Sequence, residues 1–600
     1  SCPSEVFFYA SQLAEQLKKS SGIELLIDRR ASGAHKGIVL CMSEEAGITR
    51  ENKKEKEAYR LEITPEGATV CAAEKEGLFN GVQTLRQLII QYGSSLPCLY
   101  IEDYPALSVR GWFMDVTRGR IPKMSYLKEL ADRCSLYKIN QLHLYIEHTF
   151  LFDGLSEVWR DDTPLTAQDI LEFDAYCAER NIELVPSVAT FGHLYKVLRT
   201  KTFHELSEVE EAEGTAFSFY ERMCHHTLNS TDDRAYELVC RLIDEYSPLF
   251  RSNLFNINCD ETFDLGRGRG KERADEIGSH VMYVQWVNRV CEHVKALGKR
   301  PMFWGDIIAA HPEAIKELPE DVICMTWDYS PTPREINVKK LWENGAHQYL
   351  CPGVQGWNQA IHLLDNAYEN IKQMAAFAHK YDGEGLLNTD WGDFGHFQHP
   401  EFSMVGIIYG AAFSWNSDIP EKAAINADIS VIEYGDRSAS LVEVISHMSN
   451  QAVVNWGEFV RILENCRYQV AEREVTAFWE KYDKQTENAQ EQIASCNEAI
   501  RNDMAKVSAL LVGIEEGKRK YIAPILHMAE GQILINTMFG VLKKVHDGQQ
   551  NPCADKKALA EAFEIWYYEY RRQWHKISRE SELYRIGELI FWLADYIREL

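Results

Sequence analysis

The chain has 600 residues, 45% of them hydrophobic and 26% charged, more than one ordinary core organises, which predicts two to four globular domains. A formal charge of −26 at pH 7 argues against nucleic acid or an anionic membrane as partner and for a neutral or weakly charged substrate. The 15 cysteines show no CxxC or Cys/His metal spacing and no run of 18 apolar residues occurs, so thiols in a reducing, cytoplasmic setting and no membrane partner are expected, with export left open by a start at Ser1.

Residues 1–105 read as a small α/β supporting domain. Apolar residues recur at helical spacing over Glu5–Lys19, and Ile23–Ile27 and Gly37–Met42 read as strands. Tyr59 to Cys71 alternates on both sides of Pro65-Glu-Gly67, a hairpin signal, and Glu76–Tyr92 is an amphipathic helix. Ile101 to Pro105 reads as a linker.

The rhythm changes at Arg110. Apolar runs recur at Gly111–Val116, Ile139–Ile146, Ile182–Val188, Leu254–Cys259, Pro301–Trp304, Val322–Trp327, His347–Cys351 and Gly385–Asn388, with helical periodicity between several of them. Eight strands alternating with helices predict a (β/α)8 TIM barrel over 106–420, with its active site at the C-terminal strand ends. A doubly wound sheet would want a Gly-rich first turn, and Asp115-Val-Thr-Arg-Gly-Arg120 is not one. The strand ends carry Asp115, Glu147-His148, Phe191-Gly-His193, Asp260-Glu261, Trp304-Gly-Asp306, Trp327-Asp-Tyr329, Gln355-Gly-Trp357 and Asp390-Trp391-Gly-Asp393. Polar groups are costly to bury without partners or function, so this rim of carboxylates and indoles is the candidate site. Residues 421–600 read as an all-helical domain, packed on the barrel or mediating a homodimer.

Paired acids, indoles for stacking on sugar rings and no metal cluster point to carbohydrate hydrolysis without a cofactor. A retaining pair that flanks one bond needs carboxyls about 5–5.5 Å apart, whereas neighbours on a strand diverge. Asp260 and Glu261 therefore suit another division of labour. Glu261 protonates the glycosidic oxygen and later activates water, and Asp260 orients a 2-acetamido group whose carbonyl oxygen attacks the anomeric carbon to give an oxazolinium ion. Burial and a neighbouring negative charge favour the proton that a general acid must carry. Three smaller signals have plainer readings: Arg267-Gly-Arg-Gly-Lys271 as a solvated loop, His396 and His399 as structural rather than metal-binding, and Cys259 as a packed thiol.

Over residues 55 to 415 the chain resembles glycoside hydrolase family 20, the β-N-acetylhexosaminidases. Glu57-Ala-Tyr59 through Gly77-Leu-Phe-Asn-Gly-Val-Gln-Thr-Leu-Arg-Gln-Leu88 is similar to the family's supporting domain, and Arg110-Gly-Trp-Phe-Met-Asp115 to its first barrel strand. Glu183-Leu-Val-Pro-Ser with Phe191-Gly-His193 resembles its third strand, and Asn256-Ile-Asn-Cys-Asp-Glu261 its His-x-Gly-Gly-Asp-Glu motif. The resemblance implies that Arg110 grips hydroxyls of the terminal sugar and that His193 lies beside Glu261 with Glu147 as its partner. It places Trp304, Trp327 and Trp391 in an indole box around the N-acetyl methyl, with Trp357 on the same rim and Asp393 on a sugar hydroxyl. Tyr329, rather than Tyr349, is taken as the acetamido-binding tyrosine. Asn256, Asn258 and Cys259 replace the motif's His and both glycines, and Leu142-His-Leu-Tyr-Ile-Glu147 replaces its usual His-Leu-Thr-Asp-Asp, which implies a divergent, bacterial-type branch. The expected reaction is exo hydrolysis of terminal β-GlcNAc, or β-GalNAc, from an oligosaccharide or glycoconjugate. The alternatives are an O-linked GlcNAc hydrolase, a family 123 β-GalNAc hydrolase, or a non-catalytic sugar-binding barrel.

Overall fold

Eight parallel strands close into a barrel: β5 (Val109–Asp115), β6 (Gln141–Ile146), β7 (Glu183–Val188), β8 (Leu254–Asn256), β9 (Arg300–Trp304), β10 (Ile323–Trp327), β11 (His347–Cys351) and β12 (Gly385–Asp390). The closing contact pairs Leu386 of β12 with Arg110 of β5. The computed structural model describes residues 4–29, 37–50, 53–210, 216–224, 226–486 and 488–600. The strands are apolar runs because both faces are covered, one by barrel side chains and one by helices. That is why they were legible as continuous hydrophobic stretches.

Ahead of the barrel stands a four-stranded sheet of order β1-β3-β2-β4, with β1 Gly37–Met42, β2 Tyr59–Thr64, β3 Gly67–Ala72 and β4 Leu99–Asp103. Helices α1 (Ser4–Ser21) and α2 (Lys75–Tyr92) share its core through Tyr9, Leu13, Phe79 and Val82. Three expectations are corrected here. Ile101 to Pro105 is not simply a linker, because Leu99–Asp103 hydrogen-bonds to β2 as a strand. Ile23–Ile27 joins no strand, and Leu26 is 99% exposed. Cys41 and Cys71, opposite each other on β1 and β3, form a disulfide. Only the strand register reveals that pairing.

Beyond the barrel the chain is helical, including α3 (Trp456–Tyr468), α4 (Glu516–His546), α5 (Lys556–Ile577) and α6 (Leu583–Glu599). These helices and the barrel share one continuous apolar core. Trp456 stacks on Phe397 at 3.8 Å and donates its indole N–H to the carbonyl of Phe394, and Tyr570 donates to the carbonyl of Phe397, so the segment after β12 is held from the helical side. Helix α4 is long and apolar enough to cross a membrane, but 72% of its apolar window is buried inside the protein as a core helix.

Candidate active site

The site begins where β8 stops. The run expected to continue to Cys259 ends at Asn256, because Asn258, Cys259 and Glu261 have φ of 59°, 64° and 50°. Such left-handed residues cost on the order of 1–3 kcal/mol each and persist only where their surroundings fix them. The fixing groups are present. Asn258 donates through Nδ2 to Ser187 Oγ at 3.2 Å and accepts the Trp304 indole N–H at 2.9 Å. The Glu261 amide donates to Asp306 Oδ2 at 3.0 Å. A Cβ on Gly192 would come within 2.5 Å of the Asp260 carbonyl, so glycine there lets the loop after β7 close against the acids. The two positions where the family motif carries glycine, Asn258 and Cys259, are left-handed in this chain.

The turn changes how the acids point. Both reach one imidazole: His193 Nε2 lies 3.2 Å from Asp260 Oδ2 and 3.3 Å from Glu261 Oε2. The divergence expected of strand neighbours therefore does not hold here, since these residues lie on a left-handed turn. Burial disfavours a charged His193, but the Asp260 and Glu261 carboxylates outweigh it and raise its pKa to about 10. Burial, with the charge of Asp260, raises Asp306 to about 8, so at neutral pH that carboxyl keeps its proton under the Glu261 amide.

Arg110 is not at this site, which corrects the role given to it. It is the second residue of β5 and so lies at the barrel's N-terminal end, where it pairs with Glu57 at 2.5 Å and donates to the carbonyls of Lys138 and Leu107. Its guanidinium lies over Trp415, 5.1 Å from the ring centroid. Arg110 joins the supporting domain to the barrel. The arginine at the catalytic end is Arg118, which donates to Glu147 Oε1 and to Asp393 Oδ1, both at 3.2 Å, and lies over the rings of Trp391 and Tyr145. Asp115 sets its loop by accepting from the amides of Thr117 and Arg118 with one oxygen and from that of Gly392 with the other. Arg118 sits in the stretch read only for its lack of a glycine fingerprint. Its place after the first strand was the available signal.

Glu147 also accepts from the Tyr145 hydroxyl at 3.0 Å. Burial opposes its charge, yet Arg118, with His148 and His193, holds its carboxyl at about 2. Asp393 behaves differently: burial and the charges of Asp115 and Glu261 prevail over Arg118 and raise it to about 6.

The aromatic residues contact one another, with unequal exposure. Trp391 donates to the Tyr329 hydroxyl at 2.8 Å, Trp327 stacks on Tyr329 at 4.9 Å, and Trp357 meets it edge-on at 4.8 Å. Trp304 is only 1% exposed and packs on Phe113 and Trp391, so it underlies the pocket and steadies Asn258. Tyr349 lies near Gln141 and Glu183, which open β6 and β7, and therefore at the far end of the barrel. Of these two tyrosines, Tyr329 is the one at the end that carries the acids.

The minor signals also resolve. The amides of Gly266, Gly268 and Gly270 all donate to Glu208 Oε1 at 3.0–3.1 Å, so the Gly-Arg loop encloses the chain's own carboxylate. His396 and His399 are buried, and burial pushes both well below the ordinary imidazole range. Cys259 is buried beside Thr190, and burial pushes its thiol up, away from the reactive thiolate. A cleft of about 340 Å³ lined by Glu57, Asp174, Glu183 and Arg251 opens at the N-terminal end of the barrel, away from the acids.

Comparison with known proteins agrees with this geometry. Residues 2–104 match glycosyl hydrolase family 20 domain 2, and residues 108–382 match the catalytic domain of that family. A β-hexosaminidase of Akkermansia muciniphila is 33% identical over 160 residues, covering 23% of this chain and 32% of the relative. Human hexosaminidase D is 25% identical over 304 residues, covering 47% and 59% respectively. These matches span about a third to three fifths of the relatives' lengths. The fold is similar to that of Flavobacterium johnsoniae chitobiase, with a TM-score of 0.58 at 16% identity over 94% of this chain and 91% of that one. With both of the family's domains matched in order and an acid pair at the fourth strand of a closed eight-stranded barrel, the chain belongs to glycosyl hydrolase family 20.

Proposed function

We propose that the protein is an exo-acting β-N-acetylhexosaminidase that removes terminal β-GlcNAc, and β-GalNAc as a second substrate, with net retention. The observation that carries the reading is the convergence of Asp260 and Glu261 on His193 at the strand ends that also carry Trp327, Tyr329 and Trp391. Arg118, Glu147 and Asp393 offer paired donors and acceptors for the hydroxyls of a non-reducing sugar, which favours terminal cleavage.

The reactive form is the one in which Glu261 carries a proton; in the first step Glu261 gives it to the glycosidic oxygen as the bond from that oxygen to the anomeric carbon breaks. The acetamido carbonyl oxygen forms the new bond to that carbon, and the resulting oxazolinium carries the positive charge. Asp260 accepts from the acetamido N–H and stabilises that charge. Glu261, now a carboxylate, takes a proton from water, whose oxygen attacks the anomeric carbon and reopens the ring. Trp391 and Tyr329 hold the acetamido group in line, and the pocket excludes competing water.

The test compares 4-nitrophenyl β-GlcNAc with the corresponding β-glucoside, which lacks the acetamido group. Release of nitrophenol from the first alone supports a nucleophile carried by the substrate. Equal hydrolysis of both contradicts it.

A further inference from the structure

The end of β6 leads away from the pocket into a buried charge cluster that the reaction above does not use. His148 Nδ1 is 3.7 Å from Glu147 Oε2, and His148 Nε2 is 3.8 Å from Asp162 Oδ2. Asp162 and Glu582 share Lys196, whose Nζ lies 3.6 and 3.4 Å from them. Glu582 also pairs with Arg222 at 2.6 Å and with Arg585 at 3.0 Å. The side chains of Asp162, Arg222 and Glu582 are each 1% exposed.

Glu582 comes from the helical region and directly precedes α6. Its amide donates to the carbonyl of Gly119, the residue after Arg118, at 3.2 Å. One residue of the helical region therefore touches the Arg118 loop with its backbone and the Glu147 side of the site with its carboxylate. His148, Asp162 and Glu582 place ligand atoms within 4.8 Å of one another, a metal-like spacing. Lys196 and Arg222 already supply positive charge to these carboxylates, so the cluster is a network of ion pairs rather than a cation site.

We propose that Glu582 is a positioning residue for the sugar-binding side of the pocket: its carboxylate balances Lys196, Arg222 and Arg585 so that His148 and Glu147 keep the arrangement that holds Arg118. Without it Lys196 retains Asp162 and the half-exposed Asp161, Arg585 retains Asp161, and Arg222 loses the carboxylate it pairs with at 2.6 Å, leaving unbalanced positive charge near His148. A buried charge stripped of its partner is costly and draws neighbouring groups toward itself. Glu147 is the nearest carboxylate on the catalytic side of His148, and it is shared with Arg118, so Arg118 and Asp393 shift with it.

The inference rests on the functional reading above, so its test has one arm that needs turnover and one that does not. Glu582→Gln keeps size and removes charge; kcat/KM for 4-nitrophenyl β-GlcNAc is expected to fall about 10- to 100-fold, the range for removing a partner one shell out from an active group. Adding Lys196→Met, which restores the charge balance, is expected to recover most of that loss. In parallel, histidine-selective NMR of the full chain follows His193, which faces Asp260, Glu261, Glu147, Arg118 and Asp393. Its titration is expected to move to lower pH in Glu582→Gln and to return in the double variant. A folded Glu582→Gln with wild-type kcat/KM and unchanged His193 titration overturns the proposal, as does a loss that Lys196→Met does not repair. A wild type inactive on the glycoside defeats the functional reading, and the His193 titrations then decide the Glu582 proposal alone.

Discussion

Trp391 donates its indole N–H to the hydroxyl of Tyr329 at 2.8 Å, joining the residues that follow β12 and β10 across the pocket. The phenol thus accepts from Trp391, and its own O–H is a donor aligned by the indole. Tyr329→Phe removes that donor and leaves the ring stacked on Trp327. We expect kcat/KM to fall about 10²-fold, the cost of letting the reacting acetamido group drift out of line. Affinity for GlcNAc-thiazoline should fall with it, while the melting temperature stays near wild type. Inhibitor titration beside a thermal melt checks both.

Two arginines of one strand and its loop should behave oppositely. Arg118→Lys loses the planar fork that reaches Glu147 and Asp393 together, so kcat/KM is expected to fall at least about 10²-fold, far more than any accompanying loss of stability accounts for. Arg110→Lys disturbs the buried pair with Glu57 beneath the barrel. It should lower stability by about 1–2 kcal/mol, as the guanidinium's hydrogen bonds to Glu57 and to the carbonyls of Lys138 and Leu107 cannot all be kept, and leave kcat unchanged. Kinetics and urea melts of the two variants separate the roles.

These arginines also mark what was legible in the sequence. The barrel strands could be read because strands covered on both faces are unbroken apolar runs, and the acids and indoles because they end those runs. Arg110 misled because its role came from the resemblance, although a residue that opens the first strand lies a full strand length from the end where the acids sit. Arg118 was missed because its direction depends on Asp115 capping the following loop, a hydrogen-bond pattern with no spacing signature. The His148–Glu582 cluster joins the second barrel strand to the last helix, and no local pattern announces such a contact.

Cys259 has φ of 64°, a conformation that β-branched residues rarely adopt. Cys259→Val should destabilise the protein by more than about 2 kcal/mol through backbone strain and overpacking. Cys259→Gly relieves strain while losing a small buried side chain, and should stay within about 1 kcal/mol of wild type. Chemical denaturation of the pair reads the sign directly.

Stability should fall on the alkaline side. Burial opposes the charge on His193, but its carboxylate partners raise its pKa from 6.5 to about 10, so the folded state keeps a proton that the unfolded chain releases. This contribution is complete below about pH 6.5 and disappears as the pH rises through 10. Burial, with the Asp260 charge, raises Asp306 from 3.8 to about 8, so stability also falls between those values as the unfolded carboxyl ionises first. Unfolding free energy measured from pH 6 to 10 should decline, and His193→Gln should flatten the upper part of the curve. A profile that His193→Gln leaves unchanged contradicts the assignment.

The most direct measurement is hydrolysis of 4-nitrophenyl β-GlcNAc by wild type and Glu261→Gln, with GlcNAc-thiazoline as a mimic of the cyclised intermediate. Turnover by wild type, competitive block by the thiazoline, and a kcat at least about 10²-fold lower without the Glu261 acid are expected. Turnover that survives both the substitution and the thiazoline would contradict the role given to Glu261.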